Sequence, residues 1–139
     1  MKEQGNVALI QKMYAAFAAG QVQSILNNVA PDAEWINHGP LTIPYSGSRK
    51  GLMQIREFFK AIADSTTGGK VTPKEFLVHG DMVVATGRYT ATVRETGAPI
   101  DTPIVHLFTI RNGTVTRWEG FSDTAHVAEA HRVQAAAGR

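Results

Sequence analysis

Three features of the 139-residue chain predict an α+β fold, with helices first and an antiparallel sheet last. Apolar residues recur at helical spacing in the first 20 residues and again after Gly51. From Val71 onward, runs rich in Val, Thr and aromatic residues alternate with short turn signals. Asn112-Gly113 stands between two such runs, the strongest short-range hairpin signal a sequence carries. Helices packed on one face of a curved sheet satisfy all three.

The first helix is predicted over the first 20 residues. Val7, Ile10, Met13, Tyr14 and Phe17 form its apolar stripe, with Asn6 as N-cap and Gly20 as stop. A second helix is expected over Val22–Val29, ending before Pro31. Trp35 and Ile36 suggest a short strand, and Asn37 to Arg49 reads as a loop rich in Gly, Pro and Ser. Leu52, Ile55, Phe58, Phe59 and Ile62 mark a third helix, and Thr66-Thr67-Gly68-Gly69 a flexible connection. Strands follow over Phe76–His79, Met82–Arg94, Pro103–Ile110 and Thr114–Ser122. Gly80-Asp81 and Thr96-Gly97 read as turns, and the Ala-rich stretch after Asp123 as a last helix.

Length and composition bound the function. The expectation is one domain over 1–139, with a core over about residues 5–127 and a C-terminal helix and tail over about 124–139. The composition is 43% hydrophobic and 19% charged, with a net charge of +2. That balance is too even for a nucleic-acid partner, which needs clustered Lys and Arg. No apolar run approaches the roughly 20 residues of a membrane span, so no membrane partner is expected. The absence of cysteine excludes disulfides, thiolate metal sites and cysteine nucleophiles. It fits a reducing compartment, and a cytoplasmic location is the expectation. No His and carboxylate spacing suits a metal, and no phosphate or dinucleotide loop is present, so neither metal nor cofactor is expected.

If Asn112-Gly113 is a two-residue turn, the register of the hairpin follows. Ile110 then faces Val115, Phe108 faces Arg117, His106 faces Glu119, and Ile104 faces Phe121. One face thereby joins His106, Glu119 and Arg117 to Ile104, Phe108 and Phe121. A His opposite a Glu is a possible proton-transfer unit, or a hydrogen bond that only stitches two strands. A cavity behind the pair separates these readings. The opposite face carries Val105, Leu107 and Trp118. A sheet apolar on both faces needs cover on both, and a second copy of the chain is the expected cover.

Several segments together resemble one family. Met13 to Gly20, Pro31-Asp32-Ala33-Glu34-Trp35, Tyr45-Ser46-Gly47, Gly51 with Ile55 to Phe59, and the stretches His106–Gly113 and Arg117–Thr124 are similar to SnoaL-like and ketosteroid isomerase-like proteins. These belong to the nuclear transport factor 2-like superfamily. The resemblance implies a cone-shaped α+β fold, its bent mixed or antiparallel sheet wrapping about three N-terminal helices around a deep apolar pocket. It also implies a homodimer through the convex face, here Val105, Leu107 and Trp118.

The resemblance further implies site residues. Tyr14 falls where the isomerases carry an oxyanion-binding tyrosine. Asn37 falls at their general-base aspartate, and asparagine takes no proton at neutral pH. Polyketide cyclases of this type use a carboxylate on the last strand with a histidine on the strand before, and Glu119 and His106 resemble that pair. Expected catalytic residues are thus Glu119, His106 and Tyr14. Trp35, Asn37, Tyr45, Tyr89, Phe108, Arg117, Phe121 and Asp123 are expected to touch a small apolar molecule, although Arg117 reads first as a partner of Glu119, and His38 reads first as a surface-loop histidine and otherwise as part of the rim. Asp123 reads equally as a helix cap. The fold hosts several chemistries. One reading is a cofactor-independent isomerase, cyclase or dehydratase moving a proton beside a carbonyl. The alternative is a non-catalytic ligand-binding or dimerisation module. Epoxide hydrolysis through Asp101, Arg117 and Asp123 ranks last.

Overall fold

The computed structural model describes residues 2–137. Helix α1 spans Lys2–Ala18, and α2 spans Val22–Leu26. Strands β1 (Val29–Asn37) and β2 (Gly47–Lys50) precede helix α3 (Leu52–Ser65). Four strands follow: β3 (Thr66–His79), β4 (Met82–Val93), β5 (Pro99–Arg111) and β6 (Thr114–Ser122). Helix α4 (Thr124–Ala137) ends the fold. The six strands form one sheet in the order β2-β1-β6-β5-β4-β3. Only β1 and β6 run parallel; every other pair is antiparallel. The sheet is curved and unclosed, and the helices fill its concave side.

The helices follow their apolar stripes. Ile10 and Met13 of α1 and Ile55, Phe58 and Phe59 of α3 are buried together against the sheet. Gly20 stops α1 as expected: at φ 72° it lets Gln21 N–H reach the Ala16 carbonyl (2.8 Å) while its own N–H reaches Phe17 (3.1 Å). Asn6 is not the N-cap. The backbone continues as helix to Lys2, leaving Asn6 one turn inside and buried. Helix α2 ends at Leu26 rather than Val29, because Val29 is drawn into β1 and pairs with Val115.

Two stretches expected as loops are strands. Gly47–Lys50 pairs with Glu34–Asn37 as an edge strand, too short and too polar to show an alternation. Thr66 and Thr67 already pair with Val93 and Thr92, and the Gly68-Gly69 step is a shift of register inside β3 rather than a linker. A side chain at Gly69 would meet the Phe17 ring at 3.1 Å, so the glycine admits a close approach of sheet to α1.

The hairpin turn forms where expected. Asn112 (φ 53°) and Gly113 (φ 77°) take left-handed conformations, and Arg111 faces Thr114. The register beyond it differs. Ile110 faces Val115, but Thr109 faces Arg117, which leaves Thr116 as an extra residue on β6. Its hydroxyl donates to the Thr109 carbonyl (3.3 Å). From that point Phe108 faces Trp118, Leu107 faces Glu119, His106 faces Gly120, and Val105 faces Phe121. His106 and Glu119 therefore point to opposite sides of the sheet, and Trp118 leaves the convex face for the core.

Energy explains the bulge. Without it, Arg117 and Glu119 would point into the core beside Phe108 and His106, and Trp118 would face outward. Burying a charged group costs several kcal/mol even after relaxation. Burying a Trp returns roughly 4–6 kcal/mol by area. One unpaired residue is the smaller cost. Trp118 is 6% exposed and stacks on Trp35 at 5.0 Å.

Trp118→Ala should therefore cost about 3–5 kcal/mol, whereas Arg117→Ala should cost less than about 1 kcal/mol. Urea unfolding of both variants checks this; the reverse order of losses would mean the unbulged register.

Candidate functional site

The concave side of the sheet and the helices enclose a cavity of about 110 Å³. Its walls come from α1 (Met13, Tyr14, Phe17), α3 (Phe58, Phe59, Ile62), β1 (Trp35, Asn37) and the inward positions of β5 and β6 (Ile104, His106, Phe108, Trp118). Tyr45, Tyr89 and Val127 complete it. No Asp, Glu, Lys or Arg lines it among the described residues. An engineered apolar cavity of about 150 Å³ takes up benzene; this space is smaller but opens at a mouth beside His38 and Phe121, from which a small ring compound can reach in.

Two side chains dominate its polar chemistry. Tyr14 reaches in from α1 and His106 from β5, and the Tyr14 hydroxyl lies 2.8 Å from His106 Nδ1. The stripe that buries Ile10 and Met13 carries Tyr14 inward, and the alternation that buries Ile104 and Phe108 carries His106 inward. Trp118 packs edge-on against the imidazole at 4.9 Å. Burial pushes the His106 pKa down to about 3 and the Tyr14 phenol above its ordinary value. Both are therefore neutral at pH 7. With Nδ1 engaged, Nε2 is the ring nitrogen left for a guest.

Opposite His106 on β6 stands Gly120, and beyond it on β1 stands Asn37. A Cβ on Gly120 would come 2.5 Å from the Trp118 ring and 3.1 Å from Asn37 Oδ1. The missing side chain keeps the floor open between His106 and Asn37. Asn37 Nδ2 donates to the Tyr45 carbonyl (3.3 Å). Tyr45 is buried and its hydroxyl pairs with His131 Nε2 at 3.0 Å, which ties α4 across the wall. His131, expected on an exposed helix face, is half-buried, and burial lowers its pKa. On the cavity wall, Trp35 Nε1 is buried without a hydrogen-bond partner, and the Tyr89 hydroxyl is buried near Thr66. Tyr89, opposite Thr102, faces inward as expected.

Eight of the nominated residues line the cavity: Tyr14, Trp35, Asn37, Tyr45, Tyr89, His106, Phe108 and Phe121. Glu119, Arg117 and Asp123 do not. Glu119 accepts from His38 Nε2 (2.6 Å) and from Arg117 (3.0 Å), both on the outer side. The His38 bond, then Arg117, holds its carboxyl below the usual range. His38 stacks on Phe121 at 4.6 Å where the rim meets solvent. Asp123 caps α4, its carboxylate accepting from the His126 N–H (3.2 Å). The trio Asp101, Arg117 and Asp123 is not assembled, since Asp101 pairs with Arg88 (2.8 Å). The Tyr14–His106 contact lay beyond sequence reasoning because its partners are 92 residues apart. Its one sequence signal was the inward parity of each residue.

A model of the SnoaL-like domain matches residues 10–118. The chain belongs to the SnoaL-like family. This member shares its fold with many solved structures. TerC, co-crystallised with polyporic acid, is 29% identical with a TM-score of 0.83, over 92% of this chain and 98% of that one. A nuclear transport factor 2-like protein of unknown function from Burkholderia pseudomallei is 24% identical with a TM-score of 0.82, over 91% and 96%. A SnoaL-like polyketide cyclase described from Jannaschia is 23% identical with a TM-score of 0.80, over 92% of each chain. The last two show the fold alone. No curated protein matches the chain. Among the described residues no helix is long and apolar enough to cross a membrane.

The buried imidazole sets a pH dependence. Folded His106 takes its proton only near pH 3, the unfolded chain near 6.5. As pH falls through that window the unfolded state binds the proton first, so stability falls by up to about 1.4 kcal/mol per unit. His106→Gln should remove that share of the slope in urea unfolding at pH 7 and pH 5. An unchanged slope would mean the imidazole is not buried neutral.

Proposed function

We propose that this SnoaL-like protein binds a small, uncharged, mainly apolar carbonyl compound in its cavity and polarises the carbonyl through Tyr14 and His106. One observation carries the reading: a hydrogen-bonded Tyr–His pair is the main polar feature of an aromatic cavity without any charged wall residue. A charged guest would lose its hydration with no counter-charge to replace it. A carbonyl can accept from the pair, and the unpartnered Trp35 N–H offers a further polar contact to a guest. The co-crystallisation of TerC with polyporic acid supports a small-molecule role for a pocket in this fold. Isomerase, cyclase or dehydratase chemistry is the catalytic form of the reading. Glu119 has no direct part in it, because its carboxylate faces away.

The convex face supports self-association. Leu77, Val84 and Leu107 lie in one row across β3, β4 and β5, with Val105 in the next. Leu77 is 61% exposed, and Met82 and Val105 about 40% each. A second copy laid on this face buries them. Trp118 has no place in that contact.

2-Indanone should quench or shift tryptophan fluorescence on binding. Indane should bind roughly three- to tenfold more weakly for want of the carbonyl hydrogen bond, and indane-2-carboxylate not measurably. Tight binding of the carboxylate would overturn the reading. Leu107→Glu should lower the sedimentation coefficient from dimer to monomer without unfolding the chain; a wild type that sediments as a monomer would refute the second copy.

A further inference from the structure

The cavity poses a problem for proton transfer. Burial keeps His106 and the wall tyrosines neutral, and among the described residues no Asp, Glu, Lys or Arg lines the cavity to stabilise an ion. Besides Tyr14 and His106, the titratable wall groups are Tyr45 and Tyr89, with His38 at the rim. Tyr45 pairs with His131 and Tyr89 lies near Thr66, so neither is bonded to Tyr14 or His106. An enolate or an imidazolium formed here would stand without a counter-charge. The Tyr14–His106 hydrogen bond, however, has two neutral forms. In one, Nδ1–H donates to the tyrosine oxygen, leaving the tyrosine O–H and a bare Nε2 for the guest. In the other, the tyrosine donates to Nδ1, and Nε2 carries the proton.

We propose that this pair is a charge-neutral proton relay that interconverts a bound ketone and its enol by switching between those two forms. The inference rests on the reading of the cavity as a carbonyl site. In the forward step Nε2 takes a proton from the carbon beside the carbonyl, and that C–H electron pair becomes the enol C=C bond. Nδ1 passes its proton to the Tyr14 oxygen. Tyr14 passes its own proton to the carbonyl oxygen, whose π pair becomes the new O–H bond. One C–H, one N–H and one O–H bond break; one N–H and two O–H bonds form. No ion appears, and the pair ends in its second neutral form. Reversal returns a proton to the same carbon, which exchanges its hydrogen, or to a conjugated one, which isomerises the guest.

The 2.8 Å separation is within hydrogen-bond reach, so a proton can pass directly between the two side chains. Imidazole suits the task because its two nitrogens give and take protons on opposite sides of one ring. The low proton affinity of the buried ring, which disfavours a lone histidine base, is no obstacle when Nδ1 releases a proton as Nε2 gains one.

The test is deuterium incorporation into 2-indanone in D2O, followed by proton NMR, with binding measured separately by tryptophan fluorescence. The protein should accelerate exchange over buffer, with a bound rate flat between about pH 6 and 9 across the ordinary histidine range. Tyr14→Phe and His106→Asn should each lower that rate by about 100-fold, and the double variant no further, since the two act as one unit. Glu119→Gln should leave it unchanged. If His106→Asn fails to fold, Tyr14→Phe tests the pair alone: a rate within about threefold of wild type overturns the relay. A rate that tracks an ionisation, or bound 2-indanone that exchanges no faster than in buffer, overturns the relay while leaving the carbonyl site standing. Failure of 2-indanone to bind removes both.

Discussion

A charge cannot be set against Phe108 inside this sheet without a partner, and the single extra residue Thr116 on β6 is how the chain obeys that constraint. The bulge moves two charged side chains to solvent and brings Trp118 into the core. Three consequences follow from one residue. Trp118 stacks on Trp35 and joins the parallel pair β1–β6 from the inside. Gly120 arrives opposite His106, so the cavity floor stays open. Glu119 is left on the outer surface, bound to His38 and Arg117.

The same constraint shapes the chemistry. A wall without charged side chains makes every charge expensive to hold, so the buried imidazole and phenols stay neutral. A carboxylate inside would have allowed an ordinary general base; Asn37, whose amide takes no proton at neutral pH, lines this wall and serves the Tyr45 carbonyl. Tyr14 and His106 come from α1 and β5, so their contact depends on how the first helix seats on the sheet.

Much of the fold was legible in the residues. The stripes of α1 and α3, the stop at Gly20, the turn at Asn112-Gly113 and the inward parity of Ile104, His106 and Phe108 all appear as spacing. Those signals are local, and local conformation is set by neighbouring residues. What escaped were features whose cause lies elsewhere in the chain. Gly47–Lys50 is a strand only because β1 offers it an edge. Gly68-Gly69 is part of β3 only because Thr66 and Thr67 find partners in β4. His131 looked solvent-facing until Tyr45 met it.

The chain alone determined the α+β class, the family, and the presence of an aromatic interior with Tyr14 and His106 pointing into it. Tertiary structure decided which of the ionisable groups share that interior. A strand's side chains alternate with a period of two, so a one-residue bulge reverses every face beyond it. Nothing in the residues Thr114 to Phe121 marks the bulge by itself. It arises from the balance between burying a tryptophan and burying an unpaired charge, and that balance exists only once the opposite strand and the helices are in place.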